Sequence, residues 1–256
     1  MTSESARQRD IQSVSPLTSG STEFRAVLFD LDGTLIDSKP LIKAAFVHAL
    51  KQASSYDFPV EGVPPLIGLP LRAMFERVYG TERQARTPEG GVDSVLAIYR
   101  EYLRIYEKKL LKVFPGVIET LEALRGAGVR LAVVTSKMDS VALRHMKLFS
   151  MDSFFDTMVS EQDTARHKPE PDPFLLASSR LEVPAGQCLA VGDAIADLQS
   201  ARAAGMRFGA AAWGAEPLEP LLDEEPDYVF DRPGDILEVP SLVRSRAAFH
   251  AGKHIP

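Results

Sequence analysis

Ala26-Val27-Leu28-Phe29-Asp30-Leu31-Asp32-Gly33-Thr34 passes in one step from four apolar residues to a pair of carboxylates, and that break decides the fold. The apolar run is of the kind buried on both faces of a parallel sheet, and its abrupt end at Asp30 predicts a strand terminus. Asp30 and Asp32 stand two residues apart, and Gly33 permits a tight departure of the backbone. With an extended start to the loop, both carboxylates can face one pocket.

Runs of the same type recur at Leu131 to Val134 and Leu189 to Val191, more weakly at Phe155 to Val159, and near Phe208 to Trp213 and Tyr228 to Phe230. Between them lie helical patterns. Pro115 suits a first turn, Val117, Leu121 and Leu124 follow at helical spacing, and Gly126 and Gly128 are stop signals. Further helices are predicted over 139–149, 173–181 and 194–204, the last ending at Gly205. This alternation predicts a parallel sheet covered on both faces, with active groups gathered at the carboxyl ends of the strands.

Residues 38–112 break the alternation. Leu71, Met74, Phe75, Val78 and the segment Val95 to Tyr106 carry helical spacing with no convincing strand, which predicts an inserted helical domain. The expected organisation is a flexible Ser/Thr/Gln-rich tail at 1–22, a core formed by 23–37 and 113–243, the helical insert, and a frayed tail at 244–256.

The chain has 256 residues, 45% of them apolar, enough to bury a sizeable core without staples. Its formal charge of -6 repels nucleic-acid phosphates and anionic lipid, and no basic cluster offsets it, so neither nucleic acid nor membrane is an expected partner. No apolar stretch approaches bilayer length, and the first 22 residues lack the hydrophobic middle of a secretory signal, so a soluble cytoplasmic protein is expected. Cys188, the single cysteine, lies in an apolar run and reads as a buried structural thiol suited to a reducing cytosol. His48, His145, His167, His250 and His254 show no metal-ligand spacing, and Trp213 reads as a packing residue. Oligomeric state has no signature in the sequence.

Four polar stretches carry the chemistry. Taken alone, Asp30-Leu-Asp-Gly-Thr34 is compatible with a solvated turn. A calcium loop fails, since Leu35 stands where such a loop needs glycine and Leu41 where it needs glutamate. Thr135 and Ser136 follow the second strong strand, where hydroxyls and amides suit an anionic oxygen, although taken alone such residues are more often a turn or helix cap. Lys168 lies in His167-Lys-Pro-Glu-Pro-Asp-Pro173, where the prolines stiffen the chain around the amine; a solvated lysine is the plainer alternative. Asp193 and Asp197 follow the third strand, and a helix beginning at once puts both carboxylates on one face near its first turn, which surface acids favoured by the helix dipole would also do. Jointly the four supply carboxylates for a hard cation and for attack, donors for phosphoryl oxygens, and a lysine for their charge.

Val27-Leu-Phe-Asp-Leu-Asp-Gly-Thr-Leu35, Val133-Val-Thr-Ser-Lys137, Lys168-Pro-Glu-Pro-Asp172 and Val191-Gly-Asp-Ala-Ile-Ala-Asp197 resemble, in order, the four motifs of the haloacid dehalogenase-like superfamily. The resemblance spans roughly residues 24 to 235. It implies an α/β fold: a Rossmann-like three-layer core with a parallel sheet and an inserted α-helical cap.

It further implies a Mg²⁺-dependent phosphatase acting on a small phosphorylated metabolite. Asp30 resembles the nucleophile that forms an aspartyl-phosphate, and Asp32 the group that protonates the leaving oxygen and then activates water. Thr135 and Lys168, with Ser136 beside them, would hold phosphoryl oxygens. Asp193 would bind the metal together with the Asp30 carboxylate and the Asp32 backbone carbonyl, with Asp197 fixing metal or lysine. Ala194 departs from the Ser or Thr of many relatives and removes one hydrogen bond near the metal. Acid catalysis by Asp32 asks for a partly dry pocket that raises its pKa above about 3.9.

Asp32 also sets the branch, since dehalogenases and phosphonate-cleaving relatives lack an aspartate there. Sugar phosphomutases place a histidine where Ile42 stands in this chain. The run Leu66-Ile-Gly-Leu-Pro-Leu71 with Arg72 is similar to that of phosphoglycolate phosphatases and of the related pyrophosphatases, which implies that Gly68 lets cap backbone approach a phosphoglycolate-like substrate and makes Arg72 a candidate contact to its far end. Rival expectations are a pyrophosphatase, a sugar phosphatase or phosphomutase, and a noncatalytic phosphate-binding regulatory module.

Overall fold

Every apolar run noted above falls in a strand of one sheet. The computed structural model describes residues 23–63, 66, 69–81, 90–214, 217–240 and 242. In chain order the elements are β1 (Ala26–Phe29), β2 (Ile36–Asp37), α1 (Lys39–Ser54), α2 (Leu71–Thr81), α3 (Gly91–Leu110), β3 (Lys112–Val113), α4 (Val117–Gly126), β4 (Arg130–Val134), α5 (Asp139–Leu148), β5 (Thr157–Val159), α6 (Asp172–Leu181), β6 (Cys188–Gly192), α7 (Ile195–Ala203), β7 (Arg207–Ala211), α8 (Glu219–Asp223) and β8 (Tyr228–Phe230). The tails expected at 1–22 and 244–256 lie outside the described residues.

The main sheet has six strands in the order β5-β4-β1-β6-β7-β8, all parallel. The chain steps outward from β1 through β4 to β5, then returns to β6 on the other side of β1. This is the Rossmann-like order, and the reversal beside β1 opens a crevice at the carboxyl ends of the strands. Register makes that crevice chemical. Phe29 lies level with Val133 and with Val191, so Asp30, Thr135 and Asp193 emerge at the same edge.

Alternation along the strands builds two apolar layers. Val27, Phe29, Leu131 and Val133 pack with Leu121 of α4 and Met146 of α5 on one face. Leu28, Val134 and Ala190 pack with Phe174 of α6 and Leu198 of α7 on the other. A large apolar side chain fully withdrawn from water contributes about 1.5–3 kcal/mol, so these layers dominate the core's stability.

Helices α1, α2 and α3 occupy the segment between β2 and β3. Phe46 of α1 stacks on Phe75 of α2 with ring centroids 4.4 Å apart, and Tyr99 of α3 meets Phe75 edge-on at 5.9 Å. Their apolar cluster is continuous with the sheet face that carries Phe29. The chain leaves and re-enters the core through a short antiparallel ribbon pairing Ile36 with Val113 and Asp37 with Lys112. That ribbon corrects the expectation of no strand up to residue 112: two residues per strand are too few to show a period. Helix α8 was also unforeseen, being only five residues long. Cys188 is fully buried, as expected, and burial pushes its thiol up to about 11. Among the described residues no helix is long and apolar enough to cross a membrane.

Candidate active site

Asp30 leaves β1 with its amide donating to the Val191 carbonyl at 2.9 Å, which carries the sheet register one residue into the loop. The chain then turns so tightly that Leu35 and Ile36 both donate to the Leu31 carbonyl. Gly33 makes this possible: its φ is +93°, and a Cβ there would stand 2.3 Å from Oδ2 of Asp193. The glycine lets the first loop lie directly against the third acidic stretch.

Lys168 is the hub. Its Nζ donates to Asp30 Oδ1 at 2.7 Å and to the Val134 carbonyl at 2.7 Å, and it lies 2.6 Å from Asp197 Oδ1. All three ammonium hydrogens therefore have acceptors. Asp30, Lys168, Asp193 and Asp197 are all buried. One carboxylate oxygen from each of Asp30, Asp193 and Asp197 lies within 4.8 Å of the others, so the three could hold a metal ion together. Such an all-oxygen, anionic donor set fits a hard divalent cation.

Electrostatics agree with that fit. Burial raises the Asp30 carboxyl well above the usual range; Lys168 opposes this, but Asp197 and Asp193 add to it. Burial likewise raises Asp193, against Lys39 and with Asp197, to about 6. More negative charge is packed here than the lysines offset, and a cation would lower the cost.

Thr135 is buried just past β4, its amide bonded to the Val159 carbonyl at 2.9 Å, and its Oγ1 accepts from the Lys137 amide at 3.1 Å. With Ser136 it lines a cavity of about 470 Å³ that also exposes Asp30, Asp32, Lys168 and Asp193. At Ala194 the missing hydroxyl leaves one half of a capping box unmade, while the other half is present, the Asp197 carboxylate accepting from the Ala194 amide at 3.2 Å.

Asp32 behaves differently from the sequence expectation. Its Oδ1 accepts from Ser38 Oγ at 2.5 Å and from Lys137 Nζ at 2.5 Å. Burial does push its pKa up, but the Lys137 charge and the bonds from Lys137 and Ser38 outweigh it, so the carboxyl sits below its ordinary value. A dry pocket alone does not set this group.

Gly68 lies outside the described residues. Arg72 is not brought to the cavity: its guanidinium is half exposed, pairs with Asp93, and has Glu76 at 3.9 Å. Arg100 of α3 lines the cavity in its stead and meets no carboxylate at ion-pair distance among the described residues. Ile42 also lines it.

Two lysines escaped the sequence reading. Lys39 donates to Asp193 Oδ2 at 2.7 Å and also to the Gly214 carbonyl. Its signal was available, because a lysine in the first turn of a helix opposes the helix dipole and needs a buried anion to justify it. Lys137 stood inside a quoted motif without a role. Trp213 packs on the core and donates from Nε1 to the Thr34 carbonyl at 2.9 Å, bracing the first loop from behind.

Comparison with known proteins follows the same lines. The family model described as haloacid dehalogenase-like hydrolase matches residues 27–211. A protein of Caldanaerobacter subterraneus subsp. tengcongensis with the provisional name pyrophosphatase PpaX is 39% identical over 84% of this chain and 93% of its own length. The pyrophosphatase PpaX of Bacillus velezensis is 34% identical over 84% and 95%. A crystal structure from Haemophilus somnus, described as a predicted phosphoglycolate phosphatase, superposes with a TM-score of 0.76 at 30% identity, covering 86% of this chain and 99% of that one.

Proposed function

The chain belongs to the haloacid dehalogenase-like hydrolases and is a phosphatase among them, and from that premise we propose that it hydrolyses a small phosphate monoester of the phosphoglycolate kind by way of Asp30. The observation that carries this is Asp30 gripped by Lys168 beside Asp193 and Asp197 at the floor of a 470 Å³ cavity.

In the first step an Asp30 oxygen bonds to phosphorus while the bond to the leaving oxygen breaks, and Asp32 delivers a proton to that oxygen. In the second, Asp32 takes a proton from water, whose oxygen bonds to phosphorus as the bond to Asp30 breaks. Thr135 and Ser136 hold the phosphoryl oxygens, and the Lys168 charge beside Asp30 offsets theirs. Asp30, Asp193 and Asp197, with the Asp32 carbonyl, would hold Mg²⁺, whose charge offsets repulsion between an anionic nucleophile and an anionic phosphate.

Arg100 lines the cavity and Arg72 does not, which supports Arg100 as the residue that would receive a second anion on the leaving group. Ile42 offers no proton where a phosphomutase would need one. A second reading, inorganic pyrophosphate as substrate, is favoured by the name of the 39%-identical relative. We take the protein to act in the cytoplasm on a diffusible metabolite without a nucleic-acid or membrane partner.

Initial rates on phosphoglycolate, pyrophosphate and sugar phosphates, with Mg²⁺ and with chelator, test this. Fastest turnover of phosphoglycolate, lost on chelation, is expected; preference for pyrophosphate selects the second reading, and turnover of none contradicts both.

A further inference from the structure

A polar chain runs from the helical insert to Asp32. Lys137 Nζ, besides its bond to Asp32, lies 3.2 Å from His145 Nδ1 on α5. His145 Nε2 lies 3.3 Å from Glu107 Oε2 on α3, and Arg144 Nε donates to both Glu107 oxygens at 3.0 and 2.9 Å. His145 is 1% exposed and Glu107 6%.

Donor chemistry gives the chain its direction. An ammonium only donates, so His145 Nδ1 must accept; the ring hydrogen then sits on Nε2 and points at Glu107, which only accepts. A neutral imidazole satisfies both contacts, whereas an imidazolium would set two cations 3.2 Å apart. Burial first, and the Lys137 charge second, hold the ring neutral, with its pKa lowered to about 3.

A buried Glu–His pair costs desolvation that apolar side chains in the same space would avoid. Glu107 also stands in the last turns of α3, where the helix dipole disfavours an anion. Arg144 offsets part of these costs for Glu107 from the half-exposed side, but the neutral His145 has no such ion pair of its own among the described residues, and its place in the chain is to face Lys137.

We propose that Glu107 and His145 are positioning residues: they fix the Lys137 ammonium, and Lys137 aims the Asp32 carboxyl at the leaving oxygen. The inference rests on the reading of Asp32 as the group that serves that oxygen. It gives α3 of the insert a part in placing a group that leaves the core sheet.

The test compares kcat/KM on 2-phosphoglycolate, whose alkoxide leaving group needs a proton, with that on 4-nitrophenyl phosphate, whose leaving group does not. His145→Leu should lose at least about tenfold on the first and much less on the second, since a misplaced acid costs only where a proton is required. His145→Asn, which restores an acceptor facing Lys137, should recover part of the difference. Glu107→Gln, which keeps shape and an acceptor, provides the same comparison if His145→Leu does not fold, with a smaller change in the same sense. Equal losses on both esters, or none on either, overturn the proposal while leaving the phosphatase reading intact. A wild-type protein inactive on both esters overturns the phosphate-monoester reading and the inference together.

Discussion

Lys39 Nζ stands 2.7 Å from Oδ2 of Asp193, with both side chains nearly withdrawn from solvent. A fixed ammonium therefore already neutralises part of the donor set that would hold a cation. Lys39→Met should tighten Mg²⁺ binding in the absence of substrate by about tenfold, roughly 1.4 kcal/mol, because one competing charge is gone. Titration calorimetry on the free protein reads this directly. An unchanged Kd would mean that the lysine leaves the carboxylate whenever a cation arrives.

Gly33→Ala is expected to damage the site more than its size suggests. The new Cβ would combine a left-handed φ with a 2.3 Å approach to Asp193. We expect a loss of at least about a hundredfold in kcat/KM with a cooperative unfolding transition retained, since misplacement of reacting groups by about 1 Å costs that much. Activity near that of wild type would show that the loop can re-form around a side chain.

The first loop and the second acid pair could be recognised from the chain alone because each follows an apolar run, and parallel strands in register bring such ends together; Lys168 stood out by the prolines that follow it. Lys39, His145 and Glu107 could not be found that way. They lie on helices, and their partners are fixed by how the insert folds back over the core, which no local period encodes. Arg72 failed for a related reason: a side chain's facing depends on helix packing, and α2 turns it to Asp93, leaving the cavity to Arg100.

The pH profile should depend on Lys137. Asp32 is needed protonated in the first step, so kcat/KM on an alkyl phosphate falls as pH rises through its pKa. Burial raises that pKa, but Lys137 and Ser38 lower it below the ordinary value. Removing the lysine leaves burial dominant, so Lys137→Met should move the falling limb to higher pH. Profiles of the two proteins on one substrate decide it; an unmoved limb would mean that another group carries the proton.

Asp156 ties the edge of the sheet. Its Oδ2 accepts from the Leu131 amide at 2.8 Å and from Arg125 at 3.0 Å, and Arg130 lies 3.2 Å from Oδ1. Burial raises its pKa, but the bonds from Leu131 and Arg125 and the charges of Arg125 and Arg130 together outweigh it and bring the carboxyl below normal. A lowered folded-state pKa gives stability that is present above the ordinary value near 3.8 and lost as pH falls through the folded one. Asp156→Asn should therefore cost about 1–2 kcal/mol in urea melts at pH 7, with the gap closing below about pH 4. A gap that persists at low pH would assign the loss to shape instead of charge.

Transfer of phosphorus to Asp30 is the step on which the rest depends. Protein mixed with ³²P-labelled substrate, quenched in acid within milliseconds and digested, should yield one labelled peptide containing Asp30, and Asp30→Asn should yield none. Substrate consumed with no label on that peptide, or label that survives in Asp30→Asn, would contradict the account.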